Sequence, residues 1–123
     1  MKRILIVEDQ EDLRAILRDL LTATGYTVIE AVDGVEGVAK ARSEHPDLVL
    51  MDIQLPVLDG YDATRRIKAL PGLGATPIIA VSSFAMKGDE KKARASGCDG
   101  YVTKPYSPVQ LLGIIRGYLE EKS

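Results

Sequence analysis

Five side chains that could carry chemistry follow short apolar runs in the 123-residue sequence: the carboxylates of Glu8, Asp9 and Asp52, the hydroxyl of Ser82 and the ammonium group of Lys104. A charge at the end of an apolar run is costly to bury alone, so Asp52 is expected in a surface cleft with compensating partners. Carboxylates that lie close together repel one another, and a hard divalent cation such as Mg²⁺ is the natural compensation. With Lys104 and Ser82 to contact phosphoryl oxygens, the set suits phosphoryl transfer to Asp52 as a carboxylate nucleophile.

Strand and helix patterns alternate five times and must position these side chains. The apolar runs are mostly aliphatic and do not alternate with polar residues, which predicts strands covered on both faces. They occupy residues 4–7, 28–29, 48–51, 78–81 and 101–102. Helical patterns lie between and after them, around residues 13–21, 35–45, 63–70, 88–96 and 111–119. The predicted fold is α/β, a doubly wound (βα)5 sandwich with a five-stranded parallel sheet of flavodoxin-like order 2-1-3-4-5.

This strand order makes the first and third strands neighbours, so their carboxyl ends would bring Glu8, Asp9 and Asp52 into one pocket flanked by Ser82 and Lys104. Each residue alone has an ordinary explanation as a turn, cap or solvated side chain. Their joint placement at the strand ends of one sheet favours a functional site.

Composition limits the other classes of function. Sixteen basic and eighteen acidic residues nearly cancel, so no charge pattern for nucleic acid or a membrane surface is present. The lone Cys98 fits a reducing cytosol, and no run approaches the ~18 apolar residues of a membrane span. Residues 1–123 are expected to form a single cytoplasmic domain without an effector domain.

Four motifs carry a family resemblance. They are Ile-Val-Glu-Asp at residues 6–9, Leu-Met-Asp-Ile-Gln-Leu-Pro at 50–56 with Gly60, Ala-Val-Ser at 80–82, and Tyr-Val-Thr-Lys-Pro at 101–105. With these motifs the chain resembles the receiver domains of bacterial two-component response regulators over nearly its whole length. The loop at residues 52–56 and the segment at 84–90 look most like stand-alone receivers of the cell-division and polar-development type.

The resemblance implies a role for each motif residue. Asp52 would be the phosphoacceptor, and Ser82 and Lys104 would contact the phosphoryl group. The metal set for Mg²⁺ would be Glu8, Asp9, Asp52 and the backbone carbonyl of Gln54. Tyr101 would act with Ser82 as the switch, and the Lys104–Pro105 bond would be cis.

The same resemblance implies a phosphorylation-controlled binding module. A histidine kinase, a hybrid kinase or a phosphotransfer protein would supply the phosphoryl group, and the chain would catalyse only its own phosphorylation and dephosphorylation. The switched face would lie on the fourth helix, fifth strand and fifth helix. It would include Lys91, Ala95, Tyr101, Tyr106 and Val109 and bind a downstream protein or a second copy, not DNA or a membrane.

Alternatives remain open at this point. A flavodoxin-like FMN carrier would need a phosphate-cradling loop after the first strand, where residues 8–12 are mostly acidic. A phosphatase using an aspartyl intermediate and a receiver-like fold that is never phosphorylated are the others. Cys98 is expected to be a packed residue, and Arg65, Arg66 and Lys68 a solvated helix face.

Overall fold

The computed structural model describes residues 2–83 and 88–120, and over these residues it contains all ten predicted elements. The strands are β1 (Arg3–Val7), β2 (Thr27–Ala31), β3 (Leu48–Asp52), β4 (Ile78–Ser82) and β5 (Gly100–Thr103). The helices are α1 (Glu11–Ala23), α2 (Gly34–Glu44), α3 (Gly60–Lys68), α4 (Asp89–Ser96) and α5 (Pro108–Glu120). All strand pairs are parallel and the order is β2-β1-β3-β4-β5, which confirms the predicted doubly wound sheet.

Successive residues of the central strands point to opposite layers of helices. Ile4 and Ile6 pack in one apolar cluster with residues of α1 and α5, whereas Leu5 and Val7 pack in a second with residues of α2, α3 and α4. A strand that faces apolar helices on both sides must be apolar throughout, which is why these runs do not alternate. In the described part of the chain, none of the helices has the length and apolar character needed to span a membrane.

The edge strands are less completely buried than the central strands. Every residue of β3 and β4 is buried, but Thr27 of β2 is exposed and the next three residues are only half-buried. In β5, buried and half-buried residues alternate. The prediction that all five strands are covered on both faces is still confirmed, because Val28 and Val102 pack with the cluster of Ile4, whereas Ile29 and Tyr101 pack with the cluster of Leu5. The edge strands are less completely buried because each has a neighbouring strand on one side only.

The end of α3 gives a correction to the predicted helix. Leu70 was predicted inside the helix, which instead ends at Lys68. The Lys68 ammonium donates to Asp99 Oδ2 at 2.8 Å and to the Thr76 carbonyl at 2.7 Å. Asp99 Oδ2 also accepts from the backbone N–H of Ile78 at 2.9 Å. Lys68 is therefore not a solvated side chain but ties α3 to the starts of β4 and β5.

Two other predictions from the sequence are confirmed by burial. Arg65 and Arg66 are exposed, as expected for a solvated helix face. Cys98 is 5% exposed and packs in the apolar cluster on the α3 side of the sheet. Burial raises the pKa of its thiol, which fits a packed residue and not a reactive one.

Candidate functional site

Asp52 is the last residue of β3 and stands at the carboxyl edge of the sheet, only 4% exposed. Its Oδ1 accepts from the backbone N–H of Gln54 at 3.0 Å, and its Oδ2 accepts from Lys104 Nζ at 3.4 Å. A Cβ at Gly60 would lie 2.3 Å from the Asp52 carbonyl oxygen, so only glycine allows α3 to start this close to the backbone at the end of β3. The predicted cleft position with compensating partners is confirmed.

The acidic pair after β1 meets Asp52 at this edge. Val7 pairs with Met51, so the residues that follow on the two strands are neighbours. Carboxylate oxygens of Glu8, Asp9 and Asp52 all lie within 4.8 Å of one another. Glu8 and Asp52 are buried, whereas Asp9 is exposed. The structure thus confirms that the three carboxylates converge, and it gives the cluster one open side toward solvent.

Lys104 reaches the cluster from the loop after β5. Its Nζ donates to Glu8 Oε1 at 3.0 Å as well as to Asp52, and the side chain is 16% exposed. Burial by itself would lower the pKa of this ammonium group, but the hydrogen bond with Glu8 and the charge of Asp52 outweigh it, and the pKa lies above its ordinary value. The Lys104–Pro105 bond is cis, as the resemblance implied. Lys104 is therefore a fixed positive charge at the acidic cluster.

Glu8 has both carboxylate oxygens engaged by the protein. Oε1 accepts from Lys104, and Oε2 accepts from the backbone N–H of Gln10 at 3.1 Å. Asp9 makes no described hydrogen bond or ion pair within residues 2–83 and 88–120. An incoming cation would therefore compete with existing bonds at Glu8 but not at Asp9.

Ser82 ends β4 and is buried beside the cluster. Gln54 Nε2 donates to Ser82 Oγ at 3.3 Å, and Gln54 Oε1 accepts from the backbone N–H of Ser83 at 3.1 Å. The family resemblance assigned the backbone carbonyl of Gln54 to the metal set and did not predict these side-chain contacts. Its side chain bridges the loop after β3 to the end of β4, and the only signal for this was a polar residue two positions after Asp52.

The donor set fits a magnesium ion. It consists of carboxylate oxygens, the hard ligands that Mg²⁺ prefers, and one of them faces solvent, where water ligands can remain. Ligands on opposite sides of an ion with Mg–O distances of ~2.1 Å are about 4 Å apart, so the present 4.8 Å spread needs only a small closure. The residues present could hold the metal.

Comparison with known proteins decides the family. The protein-family model for the response regulator receiver domain matches residues 4–116 of the chain. The chain belongs to this family. Family membership favours the receiver function over the FMN carrier that the same strand order could serve.

Relatives of this receiver domain are similar to it in sequence over nearly the full chain. The polar-differentiation response regulator DivK of Brucella ovis is 45% identical over 118 residues, which cover 96% of each protein. The relative of the same name in Brucella anthropi is 44% identical with the same coverage. The likeness to receivers of the polar-development type is thereby confirmed.

Solved structures give the same fold and one occupied site. The receiver domain of the sensor histidine kinase PA1611 from Pseudomonas aeruginosa has a TM-score of 0.89 and 36% identity, covering 95% of this chain and 96% of that one. It was solved with a magnesium ion coordinated in its active-site cleft. The chemotaxis protein CheY4 of Vibrio cholerae has a TM-score of 0.92 and 28% identity, covering 97% and 99%.

Tyr101 lies in β5 of this receiver domain, paired with Ala80. Its ring packs against the apolar cluster on the α3 side of the sheet. The hydroxyl oxygen is buried and has no hydrogen-bond partner in the part of the chain that the structure describes. Residues 84–87, part of the segment that suggested the polar-development type, lie outside the described residues.

One contact of the receiver site was missed from the sequence. Arg14 of α1 donates from Nη1 to the backbone carbonyl of Glu8 at 2.9 Å and from Nε to Glu30 Oε1 at 3.0 Å. No sequence pattern predicts it, because the contact depends on α1 lying beside both β1 and β2. It joins the acidic pair to the edge strand.

Proposed function

We propose that this receiver domain accepts a phosphoryl group on Asp52, with Mg²⁺ held by Asp9, Asp52 and the backbone carbonyl of Gln54, and with Glu8 completing the acidic set. The observation that carries the proposal is the convergence at one edge of three carboxylates and the Lys104 ammonium. Without a cation, the three carboxylates repel one another. With a bound cation, the site is suited to an incoming phosphoryl group. The solved structure of the Pseudomonas receiver domain, with magnesium in its active-site cleft, supports the metal assignment.

Asp52 is held ready to act as the nucleophile. The Gln54 N–H fixes Oδ1 at 3.0 Å, which leaves Oδ2 beside Lys104. A carboxylate oxygen would attack the phosphorus of a phosphohistidine donor, forming the O–P bond of an acyl phosphate as the donor's N–P bond breaks. The donor imidazole keeps the electron pair of that bond. The bound metal would neutralise charge on the transferring oxygens.

Lys104 and Ser82 are proposed to contact the phosphoryl group. The Lys104 ammonium already lies 3.4 Å from Asp52 Oδ2 and would shift from Glu8 toward a phosphoryl oxygen. The Ser82 hydroxyl ends β4 at the same edge and would donate a hydrogen bond to another oxygen. Both are positioned before any phosphoryl group arrives, which is how a site of this kind lowers the barrier.

The reaction would stop at the domain's own aspartate, so the chain would be a switch and not an enzyme with an external substrate. A histidine kinase, hybrid kinase or phosphotransfer protein would be the donor. The output would be protein binding through the face of α4, β5 and α5, where Tyr101 is half-buried and Val109 is 81% exposed. A second copy of the chain is the other candidate for that face.

The test is labelling with a small phosphodonor such as acetyl phosphate in Mg²⁺, followed by intact-mass measurement. The parent and an Asp19→Asn control should each gain one phosphoryl group, since Asp19 is exposed on α1 and outside the cluster. Asp52→Asn should gain no phosphoryl group. Its circular dichroism spectrum should match that of the parent, and its unfolding in urea should remain cooperative. Labelling of Asp52→Asn equal to that of the parent would show that the acceptor lies elsewhere.

A further inference from the structure

Arg14 is a largely buried side chain that lies outside the acidic cluster and contacts its backbone. It is 15% exposed, and its guanidinium group donates both to Glu30 Oε1 at 3.0 Å and to the Glu8 carbonyl oxygen at 2.9 Å. The planar guanidinium fork can hold two acceptors in a fixed geometry, which a lysine cannot do. Arg14 therefore links a carboxylate on β2 to the backbone of the acidic pair.

We propose that Arg14, held by Glu30, is a positioning residue that sets the place of the Asp9 carboxylate for binding of a divalent cation. The inference rests on the proposed function, because it assigns Arg14 a role toward that metal. Arg14 would touch neither the metal nor the phosphoryl group and would act only through the backbone of Glu8.

The backbone of Glu8 is fixed from both sides. Its N–H donates to the Ala31 carbonyl at 3.0 Å, and its carbonyl accepts from Arg14. The peptide unit is planar, so the direction of the Glu8 carbonyl fixes the position of the Asp9 nitrogen and Cα. Asp9 is exposed and, among the described residues, its side chain has no hydrogen bond of its own. Its location thus depends on the peptide that Arg14 holds.

Charge and position predict opposite results for removal of Arg14. A positive charge near an acidic cluster repels a divalent cation, so a purely electrostatic role predicts tighter Mg²⁺ binding when the charge is removed. Loss of positioning predicts weaker binding, because residues that orient metal ligands typically contribute 10–100-fold to affinity. The sign of the change therefore separates the two explanations.

The experiment measures the Mg²⁺ dissociation constant of the unphosphorylated protein by titration calorimetry for Arg14→Gln, Arg14→Lys and Arg18→Gln. Arg18 is the matched control, because it lies on the same helix and contacts Glu30 at 3.4 Å, with no described contact to Glu8. We expect about tenfold weaker binding for Arg14→Gln and weaker binding for Arg14→Lys, which keeps the charge but not the fork. Arg18→Gln should stay within about twofold of the parent because it leaves the Glu8 carbonyl contact intact.

Urea unfolding without metal supplies the second readout, since a merely structural role would lower the unfolding midpoint and leave the affinity of the folded protein unchanged. Unchanged or tighter Mg²⁺ binding by Arg14→Gln would overturn the inference, as would equal weakening by Arg18→Gln. If Arg14→Gln fails to fold, the Mg²⁺ dissociation constants of Arg14→Lys and Glu30→Gln are judged by the same criterion in its place. Parent protein that binds Mg²⁺ and is labelled on Asp52 leaves the proposed function intact in each of these cases. Parent protein that binds no Mg²⁺ overturns both.

Discussion

Replacing Asp9 by asparagine should stabilise the protein without metal and abolish its stabilisation by metal. Asp9 lies within 4.8 Å of both Glu8 and Asp52, and among the described residues it makes no hydrogen bond that the change would break. Two unit charges at this distance repel by roughly 1 kcal/mol at the dielectric constant of water and by about 3.5 kcal/mol at an effective value of 20. Because Asp9 is exposed, the lower figure applies to each neighbour.

Two smaller effects oppose this gain. Asp9 loses its attraction to Lys104 and its favourable place before the amino end of α1, where a negative charge contributes about 0.3–1 kcal/mol. The net expectation for Asp9→Asn in EDTA and low salt is a free energy of unfolding higher by about 1 kcal/mol. In Mg²⁺ at about 100 times its dissociation constant, the parent gains about 2.7 kcal/mol and the variant gains little, so the order of stability reverses.

Urea unfolding followed by circular dichroism measures both quantities: the free energy of unfolding without metal, in EDTA, and the gain in that free energy when Mg²⁺ is added. Asp19→Asn is the control, because Asp19 is exposed on α1 outside the cluster, and this variant should keep the parent's response to Mg²⁺. A less stable Asp9→Asn in EDTA would refute the repulsion argument. An undiminished gain from Mg²⁺ would show that Asp9 is not a ligand.

Two further changes test contacts away from the metal. Tyr101→Phe removes a buried hydroxyl that has no hydrogen-bond partner among the described residues. The free energy of unfolding should therefore rise by about 1 kcal/mol, and a fall would reveal a hydrogen bond. Asp99→Ala removes both the ion pair with Lys68 and the acceptor for the Ile78 N–H. It should lower the free energy of unfolding by about 3 kcal/mol in urea titrations. A loss below about 1 kcal/mol would contradict the role of Asp99 in tying α3 to β4 and β5.

The site could be predicted because it lies at strand ends. Buried parallel strands leave a simple sequence signal, and the residue after each strand must emerge at the same edge of the sheet. The pairing of Val7 with Met51 then suffices to place Glu8 beside Asp52. Lys104 was predictable by the same rule, since it follows β5 directly.

Contacts between distant side chains could not be predicted in this way. Lys68 looks like any charged residue on a polar helix face, and its partner Asp99 lies 31 positions further along the chain. Arg14 is equally ordinary within α1, and its fork meets Glu8 and Glu30 only after the helix has packed across two strands. Such contacts depend on the relative placement of elements, to which the hydrophobic pattern is insensitive.

The charges of the site impose an order on the proposed reaction. Three carboxylates and one ammonium group leave two net negative charges in a largely buried cluster. A phosphodonor is itself an anion, so its approach to Asp52 would be opposed until a divalent cation cancels those two charges. Lys104 cannot do this alone, because it already contacts Glu8 at 3.0 Å and Asp52 at 3.4 Å. Metal binding should therefore precede phosphoryl transfer, and the labelling rate should follow occupancy of the metal site.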